Sequence, residues 1–208
     1  MHFTSPSHGT LSGSANGGFV YTPNAGFTGT DTFSYSANDG TVDSNTALVT
    51  ITVRDTQPPA LSASVATSTL WPPNHDLVNV GLFVTATDNS GSATTAIAVF
   101  SDEDDVTPAN GDQSPDAKDV AAGTLRLRAE RNATSDGRVY LIVVTATDPS
   151  LNTSRRCVAV VVPKSTSTSD VSPVNADAAA AASQCQATGF APTGYFVVGD
   201  GPVGGPKQ

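Results

Sequence analysis

Apolar and polar residues alternate along this chain in short runs, each bounded by turn-forming residues. Residues 46–53 (TALVTITV) show the pattern most clearly. Leu48, Thr50 and Thr52 fall on one side and Val49, Ile51 and Val53 on the other, so one face is wet and the other dry. Similar β-rich runs occupy residues 17–22 (GGFVYT) and 32–37 (TFSYSA). Between residues 32–37 and 46–53, Asn38-Asp39-Gly40 accepts the positive φ angles that close a hairpin. A second series covers residues 61–66, 77–87, 95–100, 124–129, 139–147 and 156–162. Within 139–147, VYLIVV is continuous rather than alternating, as for a central strand. Short strands at this spacing predict β-sandwiches rather than helices.

The punctuation divides the chain. Residues 54–59 (RDTQPP) read as a linker, because neither proline can continue a sheet ladder. Residues 165–170 (STSTSD) read as a polar linker, and Ala178–Ala182 mark a short helix over residues 175–184, capped by Asn175 or Asp177. A helix that short needs docking to persist. Residues 190–198 (FAPTGYFVV) have strand character, and a Gly/Pro tail follows. The expected organisation is an all-β chain with a partial sandwich over residues 1–54, a linker at 55–59 and a second sandwich over 60–164. A C-terminal extension with the short helix fills 165–208.

Composition agrees with strands and turns. Only 14% of the 208 residues are charged, against about 25% in typical domains. Thr, Ser, Asn and Gly take their place. The net charge of −9 leaves no basic stripe for phosphates, which excludes nucleic acid and points towards cations as counterparts. No run is long and apolar enough to span a membrane, and no cationic, apolar leader opens the chain, so any secretion signal is expected in a longer precursor.

Two resemblances sharpen this reading. Residues 7–53, through HGTL, GGFVYTPNAGFTGTDTFSYSANDG and the closing VTITV, resemble the second half of the bacterial cadherin-like tandem repeat domain. Residues 58–164 resemble a bacterial extracellular Ig-like module. They do so through LWPPNH (70–75), GDQSPD (111–116), LRLRAER (125–131), GRVY (137–140) and ATDPSLN (146–152). The resemblances imply two tandem immunoglobulin/cadherin-like β-sandwiches in a secreted or surface-anchored bacterial protein of adhesive or matrix context, sometimes with calcium. The cadherin-like repeat carries further strands ahead of HGTL, where Met1–Ser7 stand here. The first module is therefore expected to be incomplete, with unpaired edges and an open core.

Candidate chemistry centres on calcium, which takes six to eight oxygen ligands. The phrase Thr-Ala-Thr-Asp ends strands at Asp88 and Asp148, whose loops are expected at the same end of the second module as the incoming linker at Asp55. These three carboxylates form the first predicted metal set, although Asp-Asn-Ser-Gly and Asp-Pro-Ser are also plain turn formers. A second acidic concentration, including Asp102, Asp104, Asp105, Asp112 and Asp116, offers either calcium ligands or a solvated loop. Trp71 is expected to be buried against the sandwich edge rather than stacked on a sugar. Cys157 and Cys185 are expected to pair, tying the extension to the last strand of the second module. His2, His8 and His75 are scattered, and no nucleophile elbow or phosphate loop is present, so no enzyme is expected.

The function expected is structural or adhesive, at a bacterial cell surface. One route is a fibre: Tyr195, Phe196, Val197 and Val198 would be donated as a strand to the open module of another copy. The duller alternative is a piece of a longer protein. Partners would be further copies, neighbouring modules or a polysaccharide, the last making the chain an accessory binding module.

Overall fold

The computed structural model describes residues 2–14, 17–103 and 115–199. Strands β1 (His2–Phe3), β2 (Gly9–Gly13), β3 (Phe19–Pro23), β4 (Gly29–Ser36) and β5 (Ala47–Val53) pair only among themselves. They form a β1-β4-β5 sheet facing a β2-β3 hairpin. The alternation over β5 holds residue by residue: Ala47, Val49, Ile51 and Val53 are half-buried and the residues between them exposed.

This first core is thin. Phe33 is 2% exposed, and Phe3 and Phe19 lie edge-on or tilted against it. Phe19, however, remains 46% exposed although its ring points between the sheets. What joins the two layers is a buried carboxylate. Asp31, on β4, accepts hydrogen bonds from the backbone amides of Ser7 (3.0 Å) and His8 (2.8 Å) and from the Tyr21 hydroxyl (2.9 Å). Burial alone would raise its pKa, but these donors outweigh burial and hold the carboxyl below its ordinary value.

The second module runs from β6 (Ala60–Ser64) through β7 (Leu77–Asn79), β8 (Phe83–Thr87), β9 (Thr94–Ser101), β10 (Ala117–Lys118), β11 (Arg126–Arg128), β12 (Gly137–Thr147) and β13 (Thr153–Pro163). Helix α1 (Thr168–Thr188) and strand β14 (Phe196–Val198) complete it. A four-stranded antiparallel sheet, β13-β12-β9-β14, packs its inner face on β6-β8 and β10-β11-β7. That core holds Tyr140, Ile142, Val144, Val160, Leu127 and Leu82. The outer face of the same sheet meets α1, burying Leu141, Val143, Val161 and Phe100 with Val174, Ala178, Ala181 and Cys185. β12 is therefore covered on both sides, which explains its unbroken apolar run.

Three expectations need correction. Residues 77–87 are two strands, not one: Gly81 adopts φ +62° and its amide donates to Asn79 Oδ1, turning the chain between β7 and β8. The helix is 21 residues long rather than ten, and it begins inside the segment read as a polar linker. Its buried stripe of Val174, Ala178, Ala181 and Cys185 follows helical spacing, but it is built from small residues with little hydrophobic contrast. Finally, the segment read as a donor strand is seated in its own chain. Phe196, Val197 and Val198 pair antiparallel with Ser101, Phe100 and Val99 of β9, and Tyr195 is buried beside them.

Candidate metal centre at the module junction

Strand direction sets the geometry of the junction. β8 and β12 run the same way within their facing sheets, so their C-terminal ends, followed by Asp88 and Asp148, lie at one pole. There β5 delivers Asp55. One carboxylate oxygen from each of Asp55, Asp88 and Asp148 lies within 4.8 Å of the other two. Among the described residues, no other group of three metal-ligating side chains converges.

Local turn chemistry holds each carboxylate. Asp148, 4% exposed, accepts from the Asn152 amide (2.9 Å) and from Asn152 Nδ2 (2.8 Å). Asp88 Oδ1 accepts from the Ser90 amide (2.8 Å) and hydroxyl (2.6 Å). Asp55 Oδ1 accepts from the Gln57 amide (2.9 Å). The linker is in turn pinned to the second module: Asn152 Nδ2 donates to the Asp55 carbonyl (3.2 Å) and the Ser154 hydroxyl to the Pro59 carbonyl (2.5 Å).

Two observations test the fit to a cation. Asp55 Oδ2 is buried without a hydrogen-bond partner. Three carboxylates this close also repel one another unless a cation or proton intervenes. An all-oxygen donor set of this kind suits a hard divalent ion such as Ca²⁺. Beside it, a cleft of about 270 Å³ is lined by Gly26, Phe27, Arg54, Thr56 and Asn89. Gly26, at φ +74°, approaches the second module so closely that a Cβ would sit 2.7 Å from the Asn89 carbonyl oxygen. Sequence reasoning placed the three aspartates together but missed Asn152 and Gly26, which fix the linker and the approach.

Of the second acidic set, only Asp102 and Asp116 fall among the described residues. Asp104, Asp105 and Asp112 lie outside the described residues. Asp116 is fully buried and ion-paired with Arg138, with Arg128 Nε 3.8 Å away. Asp102 accepts from the Val139 amide (2.8 Å), and burial pushes its carboxyl up to about 7. Arginine thus pairs with Asp116, while Asp102 is held by a backbone amide. Glu103 accepts from Arg138 Nε (2.9 Å), and Asp119 accepts from Arg126 Nε (2.7 Å).

The same arginines draw the recurrent sequence phrases into one polar cluster. Arg128 donates to the carbonyls of His75 (2.8 Å) and Pro115 (2.9 Å), and the Tyr140 hydroxyl donates to the Arg128 carbonyl (2.9 Å). His75 Nδ1 lies 2.5 Å from buried Glu130 Oε2. LWPPNH, SPD, LRAER and GRVY thus meet in space, although nothing in their spacing announced it. Trp71, by contrast, is 45% exposed, which corrects the expectation of burial. Cys157 and Cys185 form a disulfide, joining β13 to α1.

In comparison with protein families, residues 2–52 match the bacterial Ig domain. The match covers the first module, in accord with its all-β architecture. No curated protein matches the chain. Among the described residues, no helix is long and apolar enough to cross a membrane.

Proposed function

We propose that this chain is a structural and adhesive segment of a bacterial extracellular surface protein, with Ca²⁺ at the module junction stiffening two tandem sandwiches. The observation that carries the reading is the convergence of Asp55 from the linker with Asp88 and Asp148 from two loops of the second module. The ion would be held by these carboxylates and would supply only charge and bridging. The protein's own contribution is to aim the carboxylates through Asn152, Ser90 and Gln57. A junction clamped in this way transmits load instead of hinging.

Isothermal titration with CaCl₂ tests it. One ion should bind per chain, with a Kd of about 10⁻⁴–10⁻³ M, as in other extracellular modules. Asp88→Asn and Asp148→Asn should each weaken binding. Unchanged binding in both variants would remove the site.

The thin first core draws its remaining cover from a neighbour, either another module or another copy, because Phe19 lies exposed between its sheets. A second reading, an accessory module that binds polysaccharide, is favoured by the exposure of Trp71. A glycan array compared between wild type and Trp71→Ala decides it.

A further inference from the structure

Independently of the junction, the outer sheet of the second module carries an open edge beside an apolar groove. β9 pairs with β12 over its whole length but with β14 only over Val99–Ser101. Residues 94–98 thus have no strand on that flank among the described residues, and Thr94, Thr95 and Ala96 are exposed. β14 shows that this flank presents its backbone for antiparallel addition.

The register places the groove where an added strand would put its side chains. Val197, paired with Phe100, packs onto the helix side of the sheet. The next position facing that side lies beside Ala98, in a row with Val143 and Cys157, and the one after lies beside Ala96, in a row with Thr145 and Arg155. Ala96, Ala98, Val143, Phe190, Ala191 and Arg155 line a groove of about 180 Å³ at this point. Phe190 is 66% exposed, with the Arg155 guanidinium 5.7 Å from its ring centre. Among the described residues, Arg155 has no ion-pair partner. In sequence, Val198 is followed by Gly-Asp-Gly, which carries no apolar side chain.

The geometry points to residues 94–98 and this groove as a docking site for an extended segment of a partner protein. The segment adds antiparallel to β9, places an apolar side chain against Ala98 and Phe190, and sets a carboxylate on Arg155. Backbone pairing supplies the attachment. The groove and the arginine supply the choice of partner.

The test uses capped heptapeptides that alternate threonine with valine, leucine or phenylalanine and end in glutamate, each paired with a version ending in lysine. Titrated into ¹⁵N-labelled protein, the glutamate peptides should shift amides of residues 94–98 and Phe190. They should bind about fivefold tighter than the lysine peptides, the upper range for one exposed ion pair. Arg155→Gln should erase that preference while keeping the binding. Ala96→Phe, at an exposed position, should block binding, with unchanged melting as the folding control. Four results would overturn the assignment: no binding across the panel, shifts confined elsewhere, equal affinity for the two endings, or self-association of the free protein through this edge.

Discussion

The disulfide is the most quantitative feature of the C-terminal extension. Cys157 lies on β13 and Cys185 in the last turns of α1, with 28 residues of separation. Closing a loop of 28 residues removes chain entropy from the unfolded state worth about 3.5 kcal/mol at room temperature. Besides the bridge, the helix is held by packing on Leu141, Val143, Val161 and Phe100. Its buried stripe is Val174, three small side chains included only as Ala178, Ala181 and Cys185, and each buried methyl contributes roughly 0.8 kcal/mol. Replacing both cysteines by serine should therefore lower the melting temperature of the second module by roughly 10 °C, at about 2–4 °C per kcal/mol for a domain of this size. Differential scanning calorimetry reads the shift. Amide exchange at Leu141 and Val143, which the helix covers, reads whether α1 has lifted. A double variant that melts within about 2 °C of wild type, with those amides still protected, would refute the entropic reasoning and show that helix packing alone suffices.

Two further outcomes follow from the polar cluster. Arg138 is fully buried between Asp116, Glu103 and Tyr140, so Arg138→Met strands two carboxylates and should cost about 3–5 kcal/mol in urea denaturation. Burial raises the Asp102 carboxyl to about 7, so its folded form favours the proton. Its stabilising contribution is complete below the unfolded value near ~3.9 and is lost as pH rises through about 7. Wild type should thus lose stability relative to Asp102→Asn between those limits, and parallel pH profiles would contradict this.

Much of the fold was legible because its signals are local. The alternation of β5 and the unbroken run of β12 each report how many faces a strand buries, and both can be read from neighbouring residues. Helix α1 was under-read for the opposite reason. Its Ser/Thr-rich start and Pro173 look like linker, and its buried stripe contains no large apolar residue to reveal the period. The junction aspartates were legible because the same four-residue phrase ends two strands at one pole. The Asp116–Arg138 pair was not, because strand arginines look solvent-facing until a residue 22 positions away is folded over them. The exposure of Trp71 likewise depends on what packs around its loop, which the sequence alone does not specify. Phe196–Val198 read correctly as strand-like, but the vacant flank of β9 that receives it is a tertiary fact.

Residual dipolar couplings measured on both modules, with and without Ca²⁺, test the central claim most directly. With the ion bound at Asp55, Asp88 and Asp148, couplings from residues 2–53 and 60–163 should fit one shared alignment tensor, and chelation should split them into two. Two independent tensors at saturating Ca²⁺ would contradict a junction stiffened by the ion.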